Sequence, residues 1–268
     1  MPSKLKTFTI ASSLLFGLYV FWWVALRTNA APSGFSGDSF SDTYGILALL
    51  GGIAGIFIAR RWGGFRSLMG RAIMFFSLGL LAQAFGQAVY SIYYFWLGEE
   101  VPYPSLGDIG YFGSVLLYIY AIYCLARVSG VQISLKSFYN KFLALIIPII
   151  LLGLSYYWFL KDYEVDTSAP LTTFLDFGYP LGQAIYIALA ILTFTLSRKI
   201  LGGIMRGPIL FVLFALFVQY IADFTFLYQA SRETWEAGGI SDFIYLVAYF
   251  FMTLALLSIA RAYKEIRG

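Results

Sequence analysis

Apolar residues along this chain come in long unbroken runs, separated by short polar stretches. The runs lie at 8–26, 44–59, 72–97, 109–126, 138–160, 177–196, 208–229 and 244–260. Most come close to the roughly 20 residues that cross a bilayer core at about 1.5 Å per residue, so the pattern predicts eight transmembrane helices. The second run is the shortest and carries Gly45, Gly51, Gly52 and Gly55, small residues of the kind that let membrane helices approach closely. A membrane β-barrel would instead alternate apolar and polar positions over about ten residues. The expected fold class is therefore all-α, a polytopic membrane helix bundle forming a single transmembrane domain over 1–268.

Charge placement orients the bundle. If both termini and the even-numbered gaps face the cytoplasm, 15 of the 18 Lys and Arg residues fall on that side, leaving Arg27, Lys161 and Arg232 outside. Acidic residues do the reverse. Asp38, Asp42, Glu99, Glu100, Asp108, Asp162, Glu164, Asp166, Asp176, Glu233, Glu236 and Asp242 lie at the outer side, and Glu265 lies inside. This asymmetry in short loops is what the positive-inside rule predicts, for a multi-pass protein of the cell (plasma or inner) membrane. The net charge of +4 then reflects orientation, and no nucleic-acid partner is expected. The first run of about 19 residues exceeds the roughly 7–15 of a cleaved signal segment, so it is expected to remain as a helix.

The chain also repeats. Each even-numbered run starts near an Asp and ends near Arg or Lys: Asp42 to Arg60, Asp108 to Arg127, Asp176 to Arg198, Asp242 to Arg261. The Asp-to-Asp spacings are 66, 68 and 66 residues, a period that marks a duplicated unit. Four parallel helical hairpins follow, at about 8–60, 72–127, 138–198 and 208–262. At an offset of 134, Ala88 falls on Ala222, Tyr94 on Tyr228, Asp108 on Asp242, Tyr111 on Tyr245 and Arg127 on Arg261. The first copy is the most eroded, with Gly45 where the others have Tyr111, Tyr179 and Tyr245.

Capping explains each Asp-x-x-Tyr by itself. Asp accepts hydrogen bonds from free N–H groups at a helix start and meets the positive end of its dipole, and Tyr suits the membrane interface. Pseudo-symmetric packing would add a function by gathering Asp108, Asp176, Asp242 and the tyrosines at one outer vestibule, where they could bind a cation or polar ligand. Asp223 is the sharper candidate, because it lies inside the seventh run with Gln219 one turn below, and a carboxylate in hydrocarbon normally faces a partner or a wet cavity. Gln83 and Gln87 form a similar stripe in the third run, and Gln183 lies in the sixth; helix-to-helix hydrogen bonding is the alternative role for all three.

Absences narrow the chemistry. The chain has no His, which removes histidine-ligated haem or zinc and His acid–base catalysis. It has one cysteine, Cys124, an apolar core residue by expectation, and no Lys deep within a run to anchor a retinal Schiff base. No cofactor and no metal site are expected, and the connecting loops are too short to hold a soluble domain.

The segment Pro104-Ser105-Leu106-Gly107-Asp108-Ile109-Gly110-Tyr111, with Asp176-Phe177-Gly178-Tyr179 and Asp242-Phe243-Ile244-Tyr245 as later copies, resembles the Pro-Ser-x-x-Asp-x-x-Tyr element of uncharacterised multi-helix membrane modules. Those modules precede diguanylate cyclase or histidine kinase domains in bacterial signalling proteins. The resemblance covers about 40–262 and implies a sensing module, although here the sequence stops at Gly268 without an output domain, so a partner chain would carry the output.

Three function classes remain. The first is a sensor or scaffold that binds a ligand, lipid or partner membrane protein, including a second copy of itself, through its acidic, aromatic outer half. The second is a cation-coupled transporter or channel using Asp223. The third is an intramembrane lipid-acting enzyme in which Asp223 and Asp108 share acid–base work.

Overall fold

The computed structural model describes residues 2–165, 167–198 and 201–267; Asp166 and Lys199 lie outside them. Eight helical spans among the described residues are long and apolar enough to cross a membrane, and the fold is the polytopic helix bundle expected. The helices are α1 (Pro2–Arg27), α2 (Gly37–Thr43), α3 (Ile46–Arg61), α4 (Leu68–Ser91), α5 (Leu106–Val128), α6 (Val131–Ser134), α7 (Phe138–Ser155), α8 (Pro170–Ser197), α9 (Arg206–Ala230) and α10 (Ile240–Arg267). At the acidic end α4 continues into a wide π-helical turn, Ile92–Leu97, and α7 into another, Tyr156–Leu160. Both turns are built from Tyr, Trp and Phe, the residues that favour the headgroup level.

Among the boundaries that differ from the sequence expectation, two do so for local reasons. The second span opens with a separate short helix, α2, capped by Ser36, whose side chain accepts from the Ser39 N–H. Helix α8 starts at Pro170, seven residues before the expected start, because proline is well suited to a first helical turn that needs no N–H. Asp176 therefore sits in the second turn of α8, and Asp42 sits near the end of α2. Neither caps the start of a helix. Asp108 does: Ser105 accepts from the Gly107 N–H at 3.1 Å, and Asp108 Oδ2 accepts from the Ser105 N–H at 2.7 Å, a reciprocal capping box. Asp242 accepts the Gly238 N–H at 2.8 Å just ahead of α10.

Helices α3, α4, α5, α8, α9 and α10 each pack on the next, and α10 closes back on α3. Helix α1 leans on α10 from outside this ring and α7 on α8, which leaves both largely facing lipid. The glycines of α3 explain why its span reads so weakly. A Cβ on Gly52 would stand 2.7 Å from the Leu81 side chain of α4, and one on Gly51 or Gly55 would run into Thr253 or Ser77. Thr253 Oγ1 reaches the Leu47 carbonyl at 3.4 Å across the same seam. Without an aqueous solvent to drive apolar faces together, such backbone proximity and shared hydrogen bonds hold the helices.

Candidate functional site

The largest fully buried side chains are Tyr118, Tyr186 and Tyr249, and each delivers its hydroxyl to a partner inside the ring. Tyr249 Oη donates to Gln83 Oε1 at 2.9 Å, while Gln83 Nε2 donates to Ser114 Oγ at 2.8 Å. Tyr118 Oη lies 4.0 Å from Met252 Sδ, and its ring meets Tyr186 edge-on with centroids 6.1 Å apart. Gly52, Tyr118, Tyr186 and Met252 stand ten residues after the four repeated aspartates, and three of them meet here at the centre.

Asp223 is the focus of this interior. It is 5% exposed on α9. Tyr186 Oη from α8 donates to Oδ2 at 2.5 Å; Tyr245 Oη from α10 and Gln219 Nε2 from one turn below donate to Oδ1 at 2.9 and 3.0 Å. Gln219 is fully buried and its Oε1 has no hydrogen-bond partner. Tyr245 stacks with Tyr44, centroids 6.4 Å apart, and its ring lies tilted against Tyr249 at 5.9 Å. An aromatic, hydroxyl-bearing column thus runs from Asp223 toward the acidic end.

The remaining candidates form neighbouring groups. Tyr179 Oη donates to Asp108 Oδ1 at 2.7 Å, so the third hairpin's tyrosine serves the second hairpin's aspartate. Tyr103 and Tyr163 donate to the two oxygens of Asp176 at 2.7 and 2.6 Å. Burial and this bond together push the Tyr103 phenol above its ordinary range, which keeps it a donor. Tyr111 Oη lies 3.4 Å from Gln87 Oε1, and Gln87 Nε2 donates to the Ser41 carbonyl at 2.6 Å. A Cβ on Gly45 would stand 2.8 Å from the Gln87 side chain, which is why the first copy has no tyrosine there. Asp242 accepts from the Gly238 N–H at 2.8 Å. Gln183 is buried on α8, three residues before Tyr186.

These carboxylate–phenol groups are neighbours: Tyr103 lies within electrostatic reach of both Asp176 and Asp108, and Tyr111 of both Asp108 and Asp242. Among the described residues no group of three or more Asp, Glu or Cys side chains is arranged to hold a metal ion, and no hydrogen bond joins Asp108 to Asp223. Sequence reasoning did not single out Tyr186, Tyr118, Tyr103 or Tyr163. Asp-x-x-Tyr drew attention to the outer turn, whereas Tyr118 and Tyr186 sit two further turns in, where a period-68 comparison of the hairpins would have paired them.

Two spaces lie on the far side of this cluster. A void of about 10 Å³ has Phe76, Ile122, Leu125, Val212 and Leu216 among its walls. One turn beyond, at the basic end, a pocket of about 330 Å³ is lined by residues including Trp62, Met69, Gly130, Leu201, Met205 and Ile209. Both spaces are walled by α4, α5 and α9. Comparison with protein-family models, with curated proteins and with solved structures gave no match.

Proposed function

We propose that this chain is a membrane sensor or scaffold module that binds a ligand, lipid or partner membrane protein through its acidic, aromatic half. It would sit in the cell (plasma or inner) membrane, with its basic end and both termini in the cytoplasm. The observation that carries this reading is the cross-hairpin bonding at the acidic end. Tyr179 to Asp108, Tyr103 to Asp176 and Tyr186 to Asp223 tie different hairpins through exchangeable hydrogen bonds, so an arriving polar group that took one partner would shift the segment carrying the other. The packing within the ring fits a parallel repeat: at the offset of 134, α3 on α4 corresponds to α8 on α9, and α4 on α5 to α9 on α10, while the outer helices α1 and α7 pack differently. The likeness to modules that precede output domains adds to the same reading.

The test is reconstitution of the full chain in native lipid, with associated lipid and protein compared between wild type and Asp108→Asn/Asp176→Asn. A component held stoichiometrically by wild type and lost from the variant supports the reading. Unchanged composition together with cation flux in proteoliposomes would overturn it in favour of transport.

A further inference from the structure

We infer that the Asp223 cluster binds a proton, that this proton arrives from the acidic end, and that a dry apolar plug bars it from the basic end. The inference rests on the reading of this cluster as a ligand site and names its ligand.

Consider first the charge. An ionised carboxylate in hydrocarbon is costly, and hydrogen-bond donors such as those on Asp223 offset that cost only in part unless a counter-charge or a proton joins them. Yet the groups acting on Asp223 among the described residues are neutral phenols and an amide: Tyr118 from α5, Tyr186 from α8, Gln219 and Tyr220 from its own helix, and Tyr245 and Tyr249 from α10. The carboxylates Asp242 and Asp42 lie toward the acidic end, where Asp42 acts on Asp242.

A metal ion is a poor candidate for the missing charge. Tyr186, Tyr245 and Gln219 present hydrogens to the carboxylate at 2.5, 2.9 and 3.0 Å, and an ion would have to displace them. A proton needs no such space. When it binds, a half-turn of the Gln219 amide replaces the N–H donor with the oxygen that now lacks a partner, and that oxygen accepts the carboxylic O–H. One buried side chain thus serves both protonation states, and its orphaned acceptor gains a role.

Access follows from the two faces of the cluster. Toward the acidic end stands Tyr245, only part-buried in its bond to Asp223 and stacked on Tyr44. Toward the basic end stand Phe76, Ile122, Leu125, Val212 and Leu216 around a void of about 10 Å³. A cavity of that size holds at most about one water, and only where polar groups bind it; its walls here are hydrocarbon, so no water wire crosses.

The experiment uses the full chain in proteoliposomes whose two compartments are buffered separately, and reads the infrared carbonyl stretch of a protonated carboxyl group. Acidifying the compartment that faces Glu100 and Asp162 brings up a band that is lost in Asp223→Asn and shifted in Asp223→Glu. Acidifying the other compartment leaves it unchanged. In Leu216→Ser the band answers to both sides, and its retained response from the acidic end shows that this variant is folded. A band that persists in Asp223→Asn, an equal response from both sides in wild type, or a strictly one-sided response in Leu216→Ser would each overturn the inference. Capture of lipid or protein is read separately through Asp108 and Asp176, so failure of either proposal leaves the other standing.

Discussion

At the scale of single residues, the glycines of α5 offer a controlled comparison. A Cβ on Gly110 would meet the Ala82 carbonyl and stand 2.8 Å from the Gly86 nitrogen, both backbone atoms of α4. A Cβ on Gly113, one turn along the same helix, would meet nothing within 4 Å. Backbone cannot move aside as a flexible side chain can, so Gly110→Ala is expected to lower stability by about 1–3 kcal/mol through overpacking. Gly113→Ala should be neutral, or stabilising by up to about 1 kcal/mol through its helix propensity. Thermal unfolding of both variants in one detergent checks the pair, and equal losses would mean that α4 and α5 are not in backbone contact. The sequence showed that Gly110 exists but not that it differs from Gly113, because close approach depends on which face of α5 meets α4. Asp223 was legible for the opposite reason. A carboxylate inside an apolar run is anomalous by itself, whereas its partners Tyr186 and Tyr245 lie 37 and 22 residues away and resemble ordinary membrane tyrosines until the helices are placed.

At the scale of elements, all eight spans could be read from hydropathy because lipid imposes one length and one polarity on every crossing segment. Their ends could not, since α2 and the start of α8 are set by Ser36 and Pro170 and not by hydropathy. The placement of α7 was also hidden. It is the most apolar span, yet it lies outside the ring, and apolarity all round is what a lipid-facing helix requires. Its seam with α8 includes a polar tie: Ser155 Oγ donates at 2.7 Å to the Pro180 carbonyl, within a helix whose Pro180 has no N–H to offer the preceding turn. Hydrogen bonds between membrane helices average roughly 0.6 kcal/mol, with a maximum near 1.7. Ser155→Ala should therefore cost about 0.5–2 kcal/mol. The sharper readout is local: amide exchange should rise in α7 and the adjoining part of α8 while α4 and α5 keep their protection. A uniform rise over all helices would show that α7 is not a separately loosened element.

At the scale of the whole molecule, two chemical gradients run along the bundle axis in opposite senses. The hydroxyl and carboxylate groups that build the Asp223, Asp108 and Asp176 clusters occupy one end, and Arg60, Arg61, Arg66, Arg71, Arg127 and Arg206 gather toward the other. The fold alone does not assign either end to a side of the membrane. Loop charge does, because Lys and Arg in short loops resist translocation while acidic residues contribute little. A 15-to-3 division of basic residues therefore predicts that the Asp–Tyr end faces outward, the direction from which a sensor would meet its ligand and Asp223 its proton. Cys124 is fully buried and adds little background to thiol labelling, so exposed positions can be tested one at a time. Glu100→Cys and Asp162→Cys should react with a membrane-impermeant maleimide on intact cells, and Arg66→Cys and Lys264→Cys only after permeabilisation. The reverse pattern would put the phenol–carboxylate clusters in the cytoplasm. Their bonding would then be unchanged, but the ligand would have to come from inside the cell, and the one-sided proton access inferred for Asp223 would open to the cytoplasm.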